Sequence, residues 1–474
     1  MTDQKKRILL ITCHEDDLWT SISSLRNSFI DYWTQYKDNY QITTLDHINY
    51  PFLPSDLIKT AGMDFLIFLR LDAKTAPFLE AVRKSINTTA RVISYTEESP
   101  SIGFFNYKSL HLELVLKTSD ILIAQNKRDQ ALISLLTNMP SFHVPGMINK
   151  DLLSLGKFKG PIKNLCYIGR ISPQKNLHTT LWTIGLIQRD LREKGIKLYV
   201  FGHQDNLGSP NMGLPSGAYL EELYSYCTKM GILDLVIFEE FQPKIELLYK
   251  RILALNCLNI SLSLHSDEDF GFSILECCTL GIPSIISNWE GYSNFIDDFP
   301  GLVEGVTVNQ SEAGPFIDPQ KTSELVLSTI EQLHFEVATE TEFKKYISPP
   351  LIELEALEEN KSPMMYTDFA RKIHKQAVIS PQVKLGDREW PQHGVIYHSY
   401  ADALVQKIFE IYGAKKLKLV DTQYTKFELA PWVSIKETCI EIKDPHRGST
   451  LIPKDEHQNQ WLMSHGYIVS KVKR

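Results

Sequence analysis

Short apolar runs alternate with helical patterns along the first part of the chain. Strands are predicted at residues 7–12, 65–69, 91–95 and 120–124, and helices at 18–30, at 76–85 and ending within 110–117. The runs are continuously apolar rather than alternating, as in RILLIT and FLIFL. Such strands are typical of a parallel sheet that helices cover on both faces.

The same pattern begins again after a polar connector at residues 149–163. Strands are predicted at 164–169, 197–202, 236–238, 258–262 and 281–287, with helices after the loop 170–176 and at 244–251. Two tandem α/β domains, hinged at the connector, account for this pattern and imply a cleft between them. Ligands of such sheets bind at the carboxyl ends of the strands.

The pattern weakens after about residue 310. A helix is predicted at 325–334, an acidic and polar stretch follows at 336–360, an amphipathic helix covers 401–412, and strands are predicted at 417–420 and 439–442. No motif in this last part indicates a chemistry.

Composition narrows the class of protein. The 474 residues are 43% hydrophobic, which is ample for more than one packed domain. The formal net charge of -7 argues against a general nucleic-acid binder, because such proteins present basic surfaces. Seven cysteines without metal-like spacing predict reduced, mostly buried thiols in a cytoplasmic protein. No apolar run reaches the ~20 residues that span a bilayer, which leaves contact with a membrane surface open.

The stretch DEDFGFSILE, residues 267–276, holds the first candidate chemistry. It follows a predicted strand, and a helix is predicted to begin near Phe272 and Ser273. Glu268 would then lie in the loop at the carboxyl end of the strand, and Glu276 about one turn into the helix. The free N–H groups of a first helical turn attract anions. Two carboxylates beside such a turn suit two hydroxyl-bearing parts of one phosphate-linked ligand.

Two further interpretations of this stretch are open. In the first, Glu268 caps a surface loop and Glu276 is a solvated helix residue. In the second, Asp267, Glu268 and Asp269 bind a divalent metal ion. A helix terminus and a nearby basic pair can neutralise phosphates without an ion.

That basic pair is Arg170 and Lys175, which follow Gly169 after the first strand of the second half. Arginine offers a planar fork for phosphate oxygens, and lysine offers a point charge. In a net acidic protein, two cations at a strand end indicate a local phosphate site, although either charge alone could be a solvated loop charge. Two aromatic residues, Trp289 and Tyr292, could stack on a sugar ring or pack against a helix.

Several motifs carry a resemblance to a known family. They are Ile168-Gly169-Arg170-Ile171 with Lys175, Phe201-Gly202, the pair Glu268 and Glu276 with seven residues between them, and Leu280-Gly281-Ile282-Pro283. In order and spacing they resemble the retaining nucleotide-sugar glycosyltransferases of family 4. The resemblance covers about residues 160–296 and is faint in the first half.

The resemblance implies the GT-B fold: α/β, with two Rossmann-like doubly wound domains, an inter-domain cleft and a C-terminal extension. The domains would be residues 1–153 on the acceptor side, residues 154–335 binding the nucleotide sugar, and residues 336–474 as an extension that packs back on the N-terminal domain.

The resemblance also implies roles for individual residues. Arg170 and Lys175 would stabilise the leaving diphosphate electrostatically, and Glu268 would contact the donor sugar near the reacting carbon; these three are the expected catalytic residues. Glu276 would bind the ribose hydroxyls. The expected donor-binding residues are Gly169, Gly202, His203, Phe270, Gly271, Phe272, Ser273 and Glu276. No metal ligand and no cofactor are expected, since the nucleotide sugar is a substrate.

The chain departs from the family pattern at three places. Cys13-His14-Glu15-Asp16-Asp17 stands where a glycine-rich turn is usual, Tyr95-Thr96-Glu97-Glu98 stands where a histidine is common, and Glu290-Gly291 with Asn294 stands where two glycines and a glutamate are usual. These departures motivate a second hypothesis, a nucleotide-sugar-binding or scaffold protein that has lost turnover.

The sequence therefore predicts a retaining, metal-independent hexosyltransferase. It would move a hexose-like sugar from a nucleoside diphosphate to a hydroxyl of a glycan, lipid or protein, in the cytoplasm or at a membrane surface, with no nucleic-acid partner. Three competing hypotheses are a metal-dependent transferase that uses residues 267–269, a phosphorylase, and an epimerase on the same architecture.

Overall fold

The structure is a computed structural model. It describes residues 5–12, 20–46, 48, 53–71, 75–87, 89–96, 112–172, 175–204, 216–240, 242–264, 268–311, 314–332, 335, 340–354, 362–368, 370 and 371, and short strands between 383 and 470. Two compact units emerge from the contacts between residues. Unit 1 comprises Met1–Asn149, Asp269–Phe272 and Thr339–His374, and unit 2 includes Lys150–Glu268 and Ser273–Ala338.

Unit 1 is built on a parallel sheet. Its first elements are β1 (Lys6–Ile11), α1 (Thr20–Thr34), β2 (Tyr40–Leu45), α2 (Pro54–Lys59), β3 (Phe65–Phe68), α3 (Thr75–Ser85), β4 (Arg91–Tyr95), β5 (Ile121–Ala124), α4 (Lys127–Leu136) and β6 (Ser141–His143). The six strands pair in parallel in the order β2-β1-β3-β4-β5-β6. In β1 the run Ile8–Ile11 is at most 1% exposed, as expected for a strand covered on both faces.

A buried ion pair ties α3 to this sheet. Arg83 on α3 donates to both carboxylate oxygens of Asp120, at 2.9 and 2.8 Å, and the backbone N–H groups of Val92 and Lys117 donate to the same carboxylate. Burial raises the pKa of Asp120, while Arg83 and the two backbone donors act in the opposite direction. The carboxylate therefore joins α3, β4 and the start of β5.

Unit 2 repeats the architecture. Its elements are β7 (Asn164–Ile168), α5 (Leu177–Leu186), α6 (Gln188–Lys194), β8 (Leu198–Phe201), α7 (Ser216–Met230), β9 (Val236–Glu239), α8 (Ile245–Leu255), β10 (Cys257–Ser261), α9 (Phe272–Thr279), β11 (Ser284–Ser287), α10 (Ser293–Asp298), β12 (Val303–Val306), β13 (Val308–Ser311), β14 (Gly314–Ile317) and α11 (Pro319–Ile330). The parallel sheet has the order β12-β11-β10-β7-β8-β9, and β13 and β14 form an antiparallel hairpin.

After Ala338 the chain returns to unit 1. Helix α12 (Glu340–Ile347) follows, and the N–H of Ile148 donates to the carbonyl of Tyr346 at 2.9 Å. Further along, the N–H of Ile352 donates to the Tyr36 hydroxyl at 2.6 Å. The predicted domain bounds at residues 153 and 335 stay a prediction.

The last part of the chain is described only as strands. They are β15 (Val383–Leu385), β16 (Arg388–Trp390), β17 (Trp432–Ile435), β18 (Cys439–Asp444), β19 (Gly448–Pro453) and β20 (Ile468–Ser470). β15 pairs with β16, and the remaining four form a sheet in the order β19-β18-β17-β20. The strand predicted at 439–442 is confirmed, whereas the predicted elements at 401–412 and 417–420 lie outside the described residues.

Two predicted helices differ from the structure. At 110–117 the described residues contain only a 3-10 turn, Leu112–Leu114. The helix predicted at 325–334 is α11, which begins at Pro319, because the Asp318 side chain caps it by accepting the N–H of Gln320 at 2.9 Å. None of the helices in the described parts of the chain is long and apolar enough to cross a membrane.

Candidate active site

The candidate residues of unit 2 follow two neighbouring strands. β10 pairs with β7 on one side and with β11 on the other. Gly169 and Arg170 come directly after β7, and the loop that contains Glu268 comes after β10. The carboxyl ends of paired parallel strands lie at one edge of the sheet, which is where open α/β sheets bind ligands.

Lys175 and Glu268 are in direct contact in this unit. The Lys175 Nζ lies 2.5 Å from Oε2 of Glu268, and the two side chains are 14% and 10% exposed. The Ser263 hydroxyl donates to the same oxygen at 2.8 Å. The N–H of Gly291 donates to the backbone carbonyl of Glu268 at 2.7 Å. Glu268 is therefore held at both its side chain and its main chain.

The loop that carries Lys175 is itself held to Leu262, the residue that follows β10. Asn176, the next residue, has a left-handed φ of 56°, which asparagine tolerates better than most residues. Its side-chain amide donates to the carbonyl of Leu262 at 3.0 Å. This bond fixes the start of α5 beside the strand that precedes Glu268.

Gly169 and Gly202 meet where β7 and β8 end. The N–H of Gly169 donates to the carbonyl of Phe201 at 3.0 Å. A Cβ on Gly202 would lie 1.9 Å from the carbonyl oxygen of Gly169, so only glycine fits at 202. The Tyr167 hydroxyl donates to the carbonyl of Arg170 at 2.7 Å and so fixes the backbone that presents the guanidinium.

His203 lies half-buried directly after Gly202. Its ring Nδ1 is 2.5 Å from the carbonyl oxygen of Gln204. A carbonyl can only accept, so Nδ1 carries the proton and Nε2 of the neutral ring is an acceptor. The His203 carbonyl accepts the N–H of Ile171 at 2.9 Å, which joins the two loops.

Glu276 lies one turn into α9, which begins at Phe272 as predicted. It is 8% exposed, and its Oε2 accepts the Tyr249 hydroxyl at 2.7 Å. Burial raises the pKa of Glu276 to about 7, with the Tyr249 hydrogen bond opposing the shift. Burial also raises the pKa of Tyr249 well above its ordinary value, and the neighbouring Glu276 adds to this increase. The Tyr249 hydroxyl is also 3.3 Å from the carbonyl of Ser273.

The burial of the two glutamates excludes the interpretation in which both are solvated surface residues. As whole residues, Glu268 and Glu276 are each 8% exposed, so neither is a solvated surface charge. Asp267, the first member of the acidic triplet, lies outside the described residues.

The segment between the two glutamates groups with unit 1. Phe270 is 3% exposed, and its ring lies 4.9 Å from that of Phe272 and 6.1 Å from that of Tyr346. Gly271, between them, has a φ of 91° that favours glycine. The Phe270 ring is therefore part of a packed core, and any contact of Phe270 with a donor would come from its backbone.

Further candidates from the sequence also lie in the core. Trp289 is 1% and Tyr292 is 3% exposed, and the Tyr292 hydroxyl lies 3.0 Å from that of Ser261. Of their two interpretations, packing is the one that holds. Tyr95 is 3% exposed with its ring 5.3 Å from Phe29 in unit 1.

Glu290 stands where the family that the chain resembles usually has a glycine, and its backbone is left-handed, as is common for glycine. Its φ is 47° and it is 1% exposed. A left-handed conformation is strained for a residue with a Cβ. The peptide bond after it places the Gly291 N–H on the Glu268 carbonyl.

Sequence reasoning missed three residues that hold the candidate groups: Ser263, Tyr249 and Asn176. Each lies far along the chain from its partner or in a segment without a motif. The only available signal was a polar residue at the end of a predicted buried strand, as for Ser263.

Residues 156–314 match the sequence model of the family described as "Glycosyl transferases group 1". This region is about a third of the chain, and it includes every candidate described above in unit 2. A comparison with curated proteins found no match.

Three of the solved structures that match the chain are the following. Sucrose-phosphate synthase from Thermosynechococcus elongatus is 12% identical with a TM-score of 0.48, covering 68% of this chain and 89% of its own. The lipopolysaccharide outer core galactosyltransferase WaaB is 13% identical with a TM-score of 0.48, covering 72% and 98%. A trehalose-6-phosphate protein from E. coli, bound with UDP-2-fluoro glucose, is 11% identical with a TM-score of 0.48, covering 72% and 94%.

The predicted α/β fold class with two Rossmann-like domains is confirmed. The chain has two units that each contain a six-stranded parallel sheet, an architecture consistent with the GT-B fold. The family match supports a glycosyltransferase.

Proposed function

We propose that this protein is a retaining glycosyltransferase that moves a hexose-like sugar from a nucleoside diphosphate to a hydroxyl acceptor without a metal ion. The observation that carries the proposal is the buried contact between Lys175 and Glu268 at the carboxyl ends of β7 and β10. This contact lies inside the region that matches the group 1 glycosyl transferases. A buried ion pair is weak evidence for stability alone, so its place at a ligand-binding edge favours a functional role.

The diphosphate is assigned to Arg170 and Lys175. In the reaction, the bond between the anomeric carbon and the diphosphate oxygen breaks, and negative charge develops on the departing phosphate. Preorganised cations stabilise that charge more than the ground state and so lower the barrier. Arg170 adds a planar guanidinium whose fork can bind two diphosphate oxygens.

The donor sugar is assigned to Glu268. Its carboxylate would accept sugar hydroxyls and stabilise the positive charge that builds up at the anomeric carbon. The acceptor hydroxyl would attack from the face that the diphosphate leaves, and its proton would pass to the departing phosphate oxygen. That geometry retains the anomeric configuration.

The nucleoside is assigned to Glu276, with Gly202 and His203 beside it. A carboxylate is the strongest acceptor available for the two ribose hydroxyls. With a pKa raised to about 7 by burial, Glu276 is partly protonated at neutral pH. Ribose binding favours the ionised form, so donor affinity should increase as pH rises through 7.

The acceptor is a hydroxyl of a glycan, lipid or protein, and a lipid acceptor would bring the protein to a membrane surface. A cytoplasmic location is supported by the thiols. Five cysteines of unit 2 are free and buried, at Cys166, Cys227, Cys257, Cys277 and Cys278, as in proteins of a reducing compartment.

A thermal-shift screen with nucleoside diphosphates and nucleotide sugars tests the donor assignment. A ligand that binds the folded protein raises the apparent Tm by mass action. One nucleoside diphosphate and the nucleotide sugars built on it should raise Tm more than the others do. Proton NMR of the product formed from that donor, with excess chelator present, then reports the anomeric configuration. An inverted product, or a chelator-sensitive rate, would contradict the retaining, metal-independent reaction.

Tyr95 favours a second candidate function, a nucleotide-sugar-binding protein without turnover. It begins the stretch Tyr95-Thr96-Glu97-Glu98, which stands where the family that the chain resembles often has a histidine, and at 3% exposure its side chain is packed in the core of unit 1. A donor that stabilises the protein and is never hydrolysed or transferred, at any acceptor concentration, would support this candidate.

A further inference from the structure

Ser263 is the uncharged partner of the Glu268 carboxylate. Its hydroxyl donates to Oε2 at 2.8 Å, and Lys175 contacts that same oxygen at 2.5 Å. Ser263 is 0% exposed and lies two residues after the end of β10. Its own carbonyl accepts the Ser287 hydroxyl at 2.6 Å, so its backbone is anchored to the neighbouring strand β11.

Two donors on one oxygen orient the carboxylate. Rotation about the last bond of a glutamate side chain is broad in the absence of partners. A hydrogen bond to a charged group in a buried site is among the stronger ones. The Ser263 and Lys175 bonds together therefore hold the plane of the Glu268 carboxylate.

The two hydrogen bonds to Glu268 are affected differently when a nucleotide sugar binds. The ammonium of Lys175 is attracted to a diphosphate as well as to Glu268, so its bond to Glu268 competes with the ligand. The Ser263 hydroxyl is neutral and buried, and it does not compete for the diphosphate.

We propose that Ser263 is a positioning residue for Glu268. It keeps the carboxylate oriented towards the donor sugar while Lys175 interacts with the leaving diphosphate. This inference rests on the proposed glycosyltransferase function, because that function assigns the diphosphate to Lys175.

The Ser263→Ala variant tests the inference kinetically. Donor turnover should show a kcat reduced about 10-fold or more, because a hydrogen bond to a charged group is lost, with a smaller change in the KM for the donor. In the Glu268→Gln background, the same substitution should cause little further loss of kcat. The matched control is Ser284→Ala, another buried serine of unit 2 whose hydroxyl contacts Asn259 rather than Glu268. Equal kcat in Ser263→Ala and Ser284→Ala would overturn the inference.

A thermodynamic cycle separates this inference from the proposed function. In the ligand-free protein, Ser263→Ala and Glu268→Ala should lower Tm non-additively, because each removes the hydrogen bond between Ser263 and Glu268. If the wild type turns over no nucleotide sugar, the proposed function fails, while the cycle still reports whether Ser263 holds Glu268. Additive Tm shifts would overturn the positioning role whether or not the protein is an enzyme.

Discussion

The Glu276→Gln substitution removes a carboxyl group whose pKa burial raises from 4.5 to about 7. The folded state then binds the proton more tightly than the unfolded state does. Stability contributed by the protonated carboxyl is therefore present at low pH and is lost as pH rises from about 4.5 to about 7. One pKa unit corresponds to about 1.4 kcal/mol, so the loss amounts to about 3 kcal/mol. Glutamine does not ionise, so the variant does not lose this stability as pH rises.

Urea unfolding of wild type and variant between pH 4.5 and pH 8 measures this difference. The variant should gain about 3 kcal/mol relative to the wild type across that range, with no further gain well above pH 7. Tyr249→Phe is the companion variant. It removes the hydrogen bond that opposes the shift, so the pKa of Glu276 should rise and the loss should extend to higher pH.

The outcome that refutes the reasoning is specific. A constant difference between wild type and Glu276→Gln at all pH values would mean that the pKa of Glu276 is the same in both states. A wild type that gains stability relative to the variant as pH rises would mean that the folded protein lowers this pKa.

Two further substitutions test buried contacts, the first in unit 1 and the second beside the candidate site in unit 2. Asp120→Asn leaves the buried Arg83 without its carboxylate and should lower the free energy of unfolding by about 3–5 kcal/mol, measured with urea. The control, Glu80→Gln, breaks an exposed ion pair on the same helix and should lower it by less than about 1 kcal/mol. Equal losses would contradict the role of burial. Gly202→Ala places a Cβ against the carbonyl of Gly169, so the two loops must separate, and thermal shift by the donor nucleotide should be lost; an unchanged ligand shift would show that the loops tolerate the movement.

The central strands of both sheets could be predicted from the sequence because they are continuously apolar. In the two parallel sheets, the strands that escaped prediction are β2, β6 and β12, and all three lie at the edges of their sheets. An edge strand has partners on one side only and carries more polar residues, as in YQITTL of β2, so its pattern does not differ from that of a loop.

The residues of the candidate site likewise divide into those that the sequence predicts and those that it does not. Glu268, Lys175 and Glu276 could be predicted because they stand in motifs next to predicted strand ends. Ser263 and Tyr249 could not, because their roles depend on which buried polar atoms meet after folding. Neither residue has a spacing that distinguishes it from any polar residue at a strand end or within a helix.

The backbone of Glu290 gives a related lesson. A left-handed backbone is expected at a glycine rather than at a glutamate. Glu290 adopts it despite its side chain, and the Gly291 N–H donates to the Glu268 carbonyl. Tertiary hydrogen bonding has overridden a local conformational preference.

The assignment of Lys175 and Glu268 to one reacting centre is tested most directly by the rate at which nucleoside diphosphate is released. The substrate is the nucleotide sugar that raises the Tm of the protein. Wild type should release the diphosphate, and Glu268→Gln and Lys175→Ala should each be slower by on the order of 10²-fold while still folding and binding the nucleotide. Wild-type rates in both variants would contradict the assignment.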